Sequence, residues 1–265
     1  MINKTNIIIY IIAVIASIPA GIFTAWGSLK YYEEKSIFEK GLLKSVKKET
    51  GRYIIALLLN LITFLGLTYY KANFLGEEGQ ILIPKLIEYL QLILITPLLL
   101  IAFFVDIEYK VIPNRVSMLI FQLGILTTMI LGFTNINKFT DALYGMLVAF
   151  VTFIVISLVG GLVAGKEAMG FGDLKFITPI GLFLGLYGTI NLIISAFVFS
   201  AVISIFVVIA RLIRKEPDKY IPFGPFIVLA FYFTLFAPQD IAIISFMKLS
   251  EFLGNYLTKE GGGTN

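Results

Sequence analysis

The chain has neither histidine nor cysteine. Thiol nucleophiles, Cys-ligated zinc and Ser-His-Asp chemistry are therefore excluded, and acid–base work falls to carboxylates, Lys or Tyr. Two aspartates stand out by their surroundings. Asp106 closes the apolar run that ends in Phe103-Phe104-Val105, and Asp173 opens another in Gly170-Phe171-Gly172-Asp173-Leu174-Lys175. A carboxylate bordering an apolar run of spanning length is costly, which makes function the first reading of it. Gly170 and Gly172 let the backbone approach a neighbour closely or take positive φ. Two aspartates at equivalent depth can share one proton, because like charges about 3 Å apart cannot both ionise. The ionised member accepts a proton from water while the neutral one protonates or hydrogen-bonds a peptide carbonyl, and the pair titrates jointly. Simpler roles are open to each residue. Asp173 can cap the helix that follows it, and Asp106 can pair with Lys110 at helical spacing. Glu108, Asp141, Glu167 and Asp218 read as ordinary interfacial charges.

The elements that must position these residues are membrane spans. The 265 residues are 58% hydrophobic and 14% charged, and that charged share is well below the quarter typical of soluble domains. Several apolar runs reach 18 residues or more, which is helix-spanning length. The fold class expected is all-α, a polytopic membrane protein of about eight transmembrane helices. Spans are expected near 7–29, 53–70, 85–105, 116–133 and 142–163. The run 176–211 is too long for one crossing of a core of about 30 Å. Its Gly181, Gly185 and Gly188 predict a break into two spans, the first short. A last span follows over about 226–247. An uncleaved first span is expected rather than a signal peptide, and Gly261–Asn265 reads as a flexible tail. Residues 30–52 hold seven Lys/Arg and four Glu, with apolar residues at helical spacing. An amphipathic surface segment and a solvated loop both fit that pattern.

With the N-terminus outside, 15 of the 21 basic residues fall in inner loops, so the positive-inside rule places both chain ends outside. Asp106, Asp173 and Pro222-Phe223-Gly224-Pro225 then share the cytoplasmic side. The net charge of +4 is a topology signal, and no nucleic-acid partner is expected.

These residues carry a resemblance. Gly170-Phe171-Gly172-Asp173-Leu174-Lys175 resembles the GxGDxK motif of the type IV prepilin peptidases. Asp106 followed by Ile112-Pro113-Asn114 is similar to that family's first motif, and Pro222-Phe223-Gly224-Pro225 to its C-terminal stretch. The three occur in family order from about Pro84 to Met247. The resemblance implies an aspartic endopeptidase of the bacterial plasma membrane. It would cut the leader of type IV prepilins or pseudopilins after glycine, at the cytoplasmic face. Asp106 and Asp173 would be the catalytic pair, with Gly170 and Gly172 shaping the backbone beside Asp173. Pro222, Phe223, Gly224 and Pro225 would close the site or seat the substrate. Lys175 is read as a marker of the inner interface.

The first third departs from the family pattern. Relatives that bind zinc carry paired Cys-x-x-Cys motifs after the first span, and residues 30–52 have none, so no metal is expected. Their N-methyltransferase function is associated with a Gly-Ser-Phe-Leu-Asn-like stretch, which Gly21–Ser28 matches only loosely. Methylation of the new N-terminus, with S-adenosylmethionine as cofactor, stays open, and proteolysis needs no cofactor. The expected organisation is a two-span region over 1–83, a peptidase membrane domain over 84–250 and a tail over 251–265. Two other readings compete. An ion-coupled transporter would use Asp106 and Asp173 as ion sites, although no internal repeat supports it. A presenilin-like protease shares Gly-x-Gly-Asp but carries Tyr-Asp and Pro-Ala-Leu, where this chain has Val105-Asp106 and Pro-Phe-Gly-Pro.

Overall fold

The computed structural model describes residues 4–30, 49–71, 82–164, 170–214 and 221–236. These form seven helices: α1 (Lys4–Lys30), α2 (Thr50–Lys71), α3 (Ile83–Tyr109), α4 (Asn114–Thr134), α5 (Ile136–Ala164), α6 (Phe171–Arg214) and α7 (Gly224–Phe236). No strand occurs among the described residues. Helices are what such a sequence must form in lipid, where each backbone N–H and C=O needs a partner within its own segment. Six of the seven are long and apolar enough to cross a membrane, and α7 is a shorter apolar helix. The chain is an all-helical polytopic membrane protein.

Burial ranks the helices. In α3, 61% of the most apolar window is buried, against 22–39% in the other long helices, so α3 is the central element. It packs against α1, α2, α4 and α7, while α6 packs against α4, α5 and α7. One core joins Ile95, Leu99 and Ile101 of α3 to Ile120 of α4, Phe153 of α5, Phe176 and Ile180 of α6, and Phe231 of α7. A second, smaller core joins Ala25 and Trp26 of α1 to Tyr53 and Ala56 of α2. Outward positions carry large apolar side chains such as Ile15, Ile62, Leu158 and Phe206, the pattern of helices solvated by lipid.

α6 is 44 residues long and turns at Gly185, which has φ 68° and ψ −173°, a conformation essentially confined to glycine. Asp141, near the start of α5, holds this turn: its Oδ1 accepts the Leu186 N–H at 3.0 Å. Phe153, about 18 Å further along α5 at 1.5 Å per residue, meets Phe197 at 6.1 Å between centroids. The second arm of α6 therefore runs back along α5. The break expected among Gly181, Gly185 and Gly188 is present, at Gly185. Among the described residues the non-helical backbone of Gly185 divides α6 into two arms, which makes eight helical segments; six of the helices are long and apolar enough to cross a membrane, against the eight spans expected. Asp141 also departs from its expected role as a plain interfacial charge.

Other boundaries shift modestly. α3 continues to Tyr109, so Asp106 lies in its last turn rather than at its end, and α5 begins at Ile136 rather than near Ala142. Residues 31–48, where an amphipathic segment or loop was expected, and the second half of the last expected span lie outside the described residues.

The first arm of α6 lies very close to α5. A Cβ on Gly181 would stand 2.5 Å from the Gly145 carbonyl oxygen, and one on Gly145 would stand 2.6 Å from that of Gly185. Small residues permit such crossings in membranes, where packing rather than hydrophobic exclusion drives association. Gly145→Ala and Gly181→Ala should each cost about 2 kcal/mol of overpacking, measured as a lower unfolding midpoint in detergent. Gly51→Ala is the control, since a Cβ there meets nothing within 4 Å. Equal behaviour of the three variants would contradict the close crossing.

Candidate active site

One end of the bundle gathers the two aspartates. α3 stops just beyond Asp106 because Lys110 takes a left-handed conformation, φ 59° and ψ 35°, and donates its N–H to the Asp106 carbonyl oxygen. Val111–Pro113 is an irregular connection, and α4 begins at Asn114 with Pro113 before it. This stop and restart drops Ile112, itself buried, into the interior. On α6, the Asp173 N–H bonds the Gly170 carbonyl at 3.0 Å. Asp173 therefore lies in the first helical turn, and Gly170, not Asp173, precedes the helix.

Asp106 is 4% exposed and Asp173 5%. The carboxylate of Asp106 turns to α7 rather than out to Lys110: its Oδ2 accepts the Gly224 N–H at 2.8 Å. That N–H is one of the donors a helix N-terminus leaves unpaired, at the positive end of the helix dipole. Gly224 is required by this contact, since a Cβ there would stand 2.6 Å from Asp106 Oδ2 and 3.2 Å from Ile112 Cδ1. Ile112 is also the neighbour of Gly172, whose Cβ would stand 3.7 Å from that of Ile112. Asp106, Gly224, Ile112 and Gly172 thus form a contiguous set, and the two carboxyl groups lie within electrostatic reach of each other.

The remaining residues of the three stretches divide by role. Phe223 is an anchor, with ring centroids of Phe197 at 5.3 Å, Phe153 at 6.1 Å and Phe226 at 6.3 Å. Its carbonyl accepts the Phe226 N–H at 3.0 Å, opening α7. Pro222 precedes α7 and Pro225 sits in its first turn. Gly170 is exposed, and a Cβ there would meet only Asp173 Oδ2, at 3.5 Å. Lys175, read from sequence as an interface marker, bridges two stretches. Its ammonium makes a long hydrogen bond of 3.4 Å to Asn114 Oδ1 and stands 4.7 Å from the Phe171 ring centroid. Glu108, read as an ordinary interfacial charge, pairs with Arg52 at the start of α2. Ile112 as a wedge and the Glu108–Arg52 pair were missed. The Ile-Pro after Asp106 was the available signal for the first; a charge at the head of the next apolar run was a weak one for the second.

Residues 93–205 match the model of the type IV leader peptidase family, a range that holds both aspartates. The matched segment, less than half of the chain, is similar to that family. Among curated proteins, the prepilin leader peptidase/N-methyltransferase of Aeromonas hydrophila is 25% identical over 143 residues, 54% of this chain and 48% of the relative. That of Stutzerimonas stutzeri is 28% identical over 139 residues, 52% of this chain and 46% of the relative. That of Pectobacterium carotovorum subsp. carotovorum is 27% identical over 152 residues, 57% of this chain and 52% of the relative. The chain spans about half the length of the curated relatives it matches. No solved structure matches it.

A double-mutant cycle tests the Asp106–Gly224 contact. Gly224→Ala should cost about 2 kcal/mol against the wild type, from overlap and a strained hydrogen bond. In an Asp106→Ala background the same change should cost nearly nothing. Equal penalties in both backgrounds, read from unfolding midpoints in detergent, would place the clash elsewhere.

Proposed function

We propose that the chain is an aspartic endopeptidase that removes the leader of type IV prepilins or pseudopilins, cutting after glycine with Asp106 and Asp173 as the catalytic pair. The observation that carries this reading is the burial of both aspartates at one end of the bundle, where Gly224, Ile112 and Gly172 link their two stretches, within a segment that matches the leader peptidase family. The names of the relatives supply the substrate class. The basic-residue count supports a site on the cytoplasmic side, and the bacterial sources of the relatives support the bacterial plasma membrane. The transporter and presenilin-like readings gain nothing comparable.

In the reaction the ionised carboxylate takes a proton from water as its oxygen attacks the scissile carbonyl carbon. The protonated partner donates to the carbonyl oxygen, giving a tetrahedral diol. Collapse re-forms the carbonyl, breaks the C–N bond and delivers a proton to the leaving amine. Gly224 fixes one oxygen of Asp106 through its N–H, leaving the other for the shared proton. Gly170 and Gly172 keep side chains out of the space beside Asp173. Spans α1 and α2 both pack against α3, the helix that carries Asp106.

Co-expression with a prepilin whose basic leader ends in Gly tests the reading. Asp106→Asn and Asp173→Asn should each lower cleavage by about 10³-fold, the middle of the range for a lost acid or base, with insertion unchanged. Cleavage by either variant at the wild-type rate would sink the two-aspartate assignment. In the same assay, the mass of the mature N-terminus decides whether this chain also transfers a methyl group, as its relatives' names record, from S-adenosylmethionine.

A further inference from the structure

Two apolar grooves open on the sides of the bundle. The larger, of about 680 Å³, lies among α1, α2, α3 and α4 and is lined by Pro19, Phe23, Phe64 and Pro97. Its lining residue nearest in sequence to Asp106 is Leu98, about 12 Å below it along the helix axis. The other, of about 410 Å³, lies among α4, α5 and the first arm of α6. Its upper end is made by Asn114, Phe171, Leu174 and Lys175, residues of the two aspartate-bearing stretches, and its lower end by Phe121, Phe150 and Pro179.

We infer that this second groove seats the apolar helix that follows the cleavage point of the substrate. The inference rests on the peptidase reading above. Three observations favour this occupant in this place. First, polarity changes along the groove. The mouth carries the charged Lys175–Asn114 bridge, while below it the lining is mostly apolar over about 10 Å, or two helical turns, from Asn114 to Phe121, with the Ser117 and Thr178 hydroxyls its polar members. An occupant polar at one end and apolar below is a transmembrane helix at the point where it leaves the bilayer. Second, the mouth is continuous with the site. Leu174 lines it, the adjoining Asp173 points inward, and exposed Gly170 presents no side chain beside Asp173 Oδ2. A peptide leaving the mouth therefore reaches the carboxyl group across bare backbone. Third, the floor offers large side chains to the bilayer, since Phe121 and Phe150 are each 42% exposed. Those rings offer contacts to a substrate helix whose own residues recur at i, i+3 and i+4, as in helix-in-groove recognition.

The absence of cysteine from the chain makes single-cysteine cross-linking direct. Cysteine replaces Phe121 or Phe150 in this groove, or Leu94 or Leu126 in the larger one, in an Asp173→Asn background that leaves the prepilin uncut. The prepilin carries one cysteine, moved stepwise through the first turns after the cleavage point. Phe121→Cys and Phe150→Cys should cross-link with a three-to-four-residue periodicity, about tenfold above Leu94→Cys and Leu126→Cys. In the otherwise wild-type enzyme, Thr178→Trp, which narrows the groove, should raise KM about tenfold and leave kcat nearly unchanged, the signature of lost uniform binding. Cross-links from the larger groove, or from neither as for a lipid-filled groove, overturn the inference when wild type still cuts the same prepilin. A wild-type chain that leaves the prepilin uncut overturns the peptidase reading itself, and this inference with it.

Discussion

The carboxylate of Asp106 is taken out of water and given the N–H of Gly224 in return. Removing an ionisable group from water without compensation costs several kcal/mol, so the end of α3 and the start of α7 must meet at one place. The meeting constrains residue types on both sides. α7 must begin with a residue that has no side chain, because a Cβ would overlap the carboxylate, and a neighbour must keep that beginning from drifting. Phe223 does so from within an aromatic cluster shared by α5 and α6. The anchor, donor and helix start therefore have to be consecutive residues. This accounts for the compactness of Pro222–Pro225 without assigning every member a chemical role.

The second aspartate depends on a different device. Asp173 is carried by a helical arm only about 14 residues long, which turns back at Gly185. A short arm is held mainly by its neighbour, and here glycines on both α5 and α6 bring the backbones together. Asp141 fastens the far end by accepting the Leu186 N–H. Position at the site face is thus determined from the opposite face, through a helix that packed cores do not let bend gradually. The ion pair between Glu88 of α3 and Lys138 of α5 lies at that same far end, tying the helix of Asp106 to the helix that holds the arm of Asp173.

Much of this could be read from residues alone. The apolar runs predicted the helices to within a few residues, because length and composition suffice where lipid is the solvent. The glycines of 181–188 predicted the turn, and the three short stretches singled out are ones that the fold brings together. What escaped were pairings between distant residues. Gly224 and Asp106 are 118 residues apart, Arg52 and Glu108 are 56 apart, and Leu186 and Asp141 are 45 apart. No periodicity encodes which charge meets which backbone amide when every face of the helices is apolar. Asp141 was misjudged for that reason: at a helix start near the membrane edge, a carboxylate that closes a turn and one that faces water look the same in sequence.

Burial and water access pull against each other at such a site, and the arrangement of α6 reconciles them. Hydrolysis needs water, yet carboxyl groups exposed to bulk solvent would not be held as a proton-sharing pair. Deep placement in the bilayer would solve the second need and defeat the first. Here Asp173 is buried while Gly170, three residues before it, is exposed, so the change from surface to interior takes place within a single helical turn. A side chain at Gly170 would fill that step, and a longer approach would replace it with apolar wall. The placement of a glycine just before the helix and of an aspartate in its first turn is thus a constraint of depth as much as of backbone conformation. Under the proposed reading, it accounts for a site at a helix end.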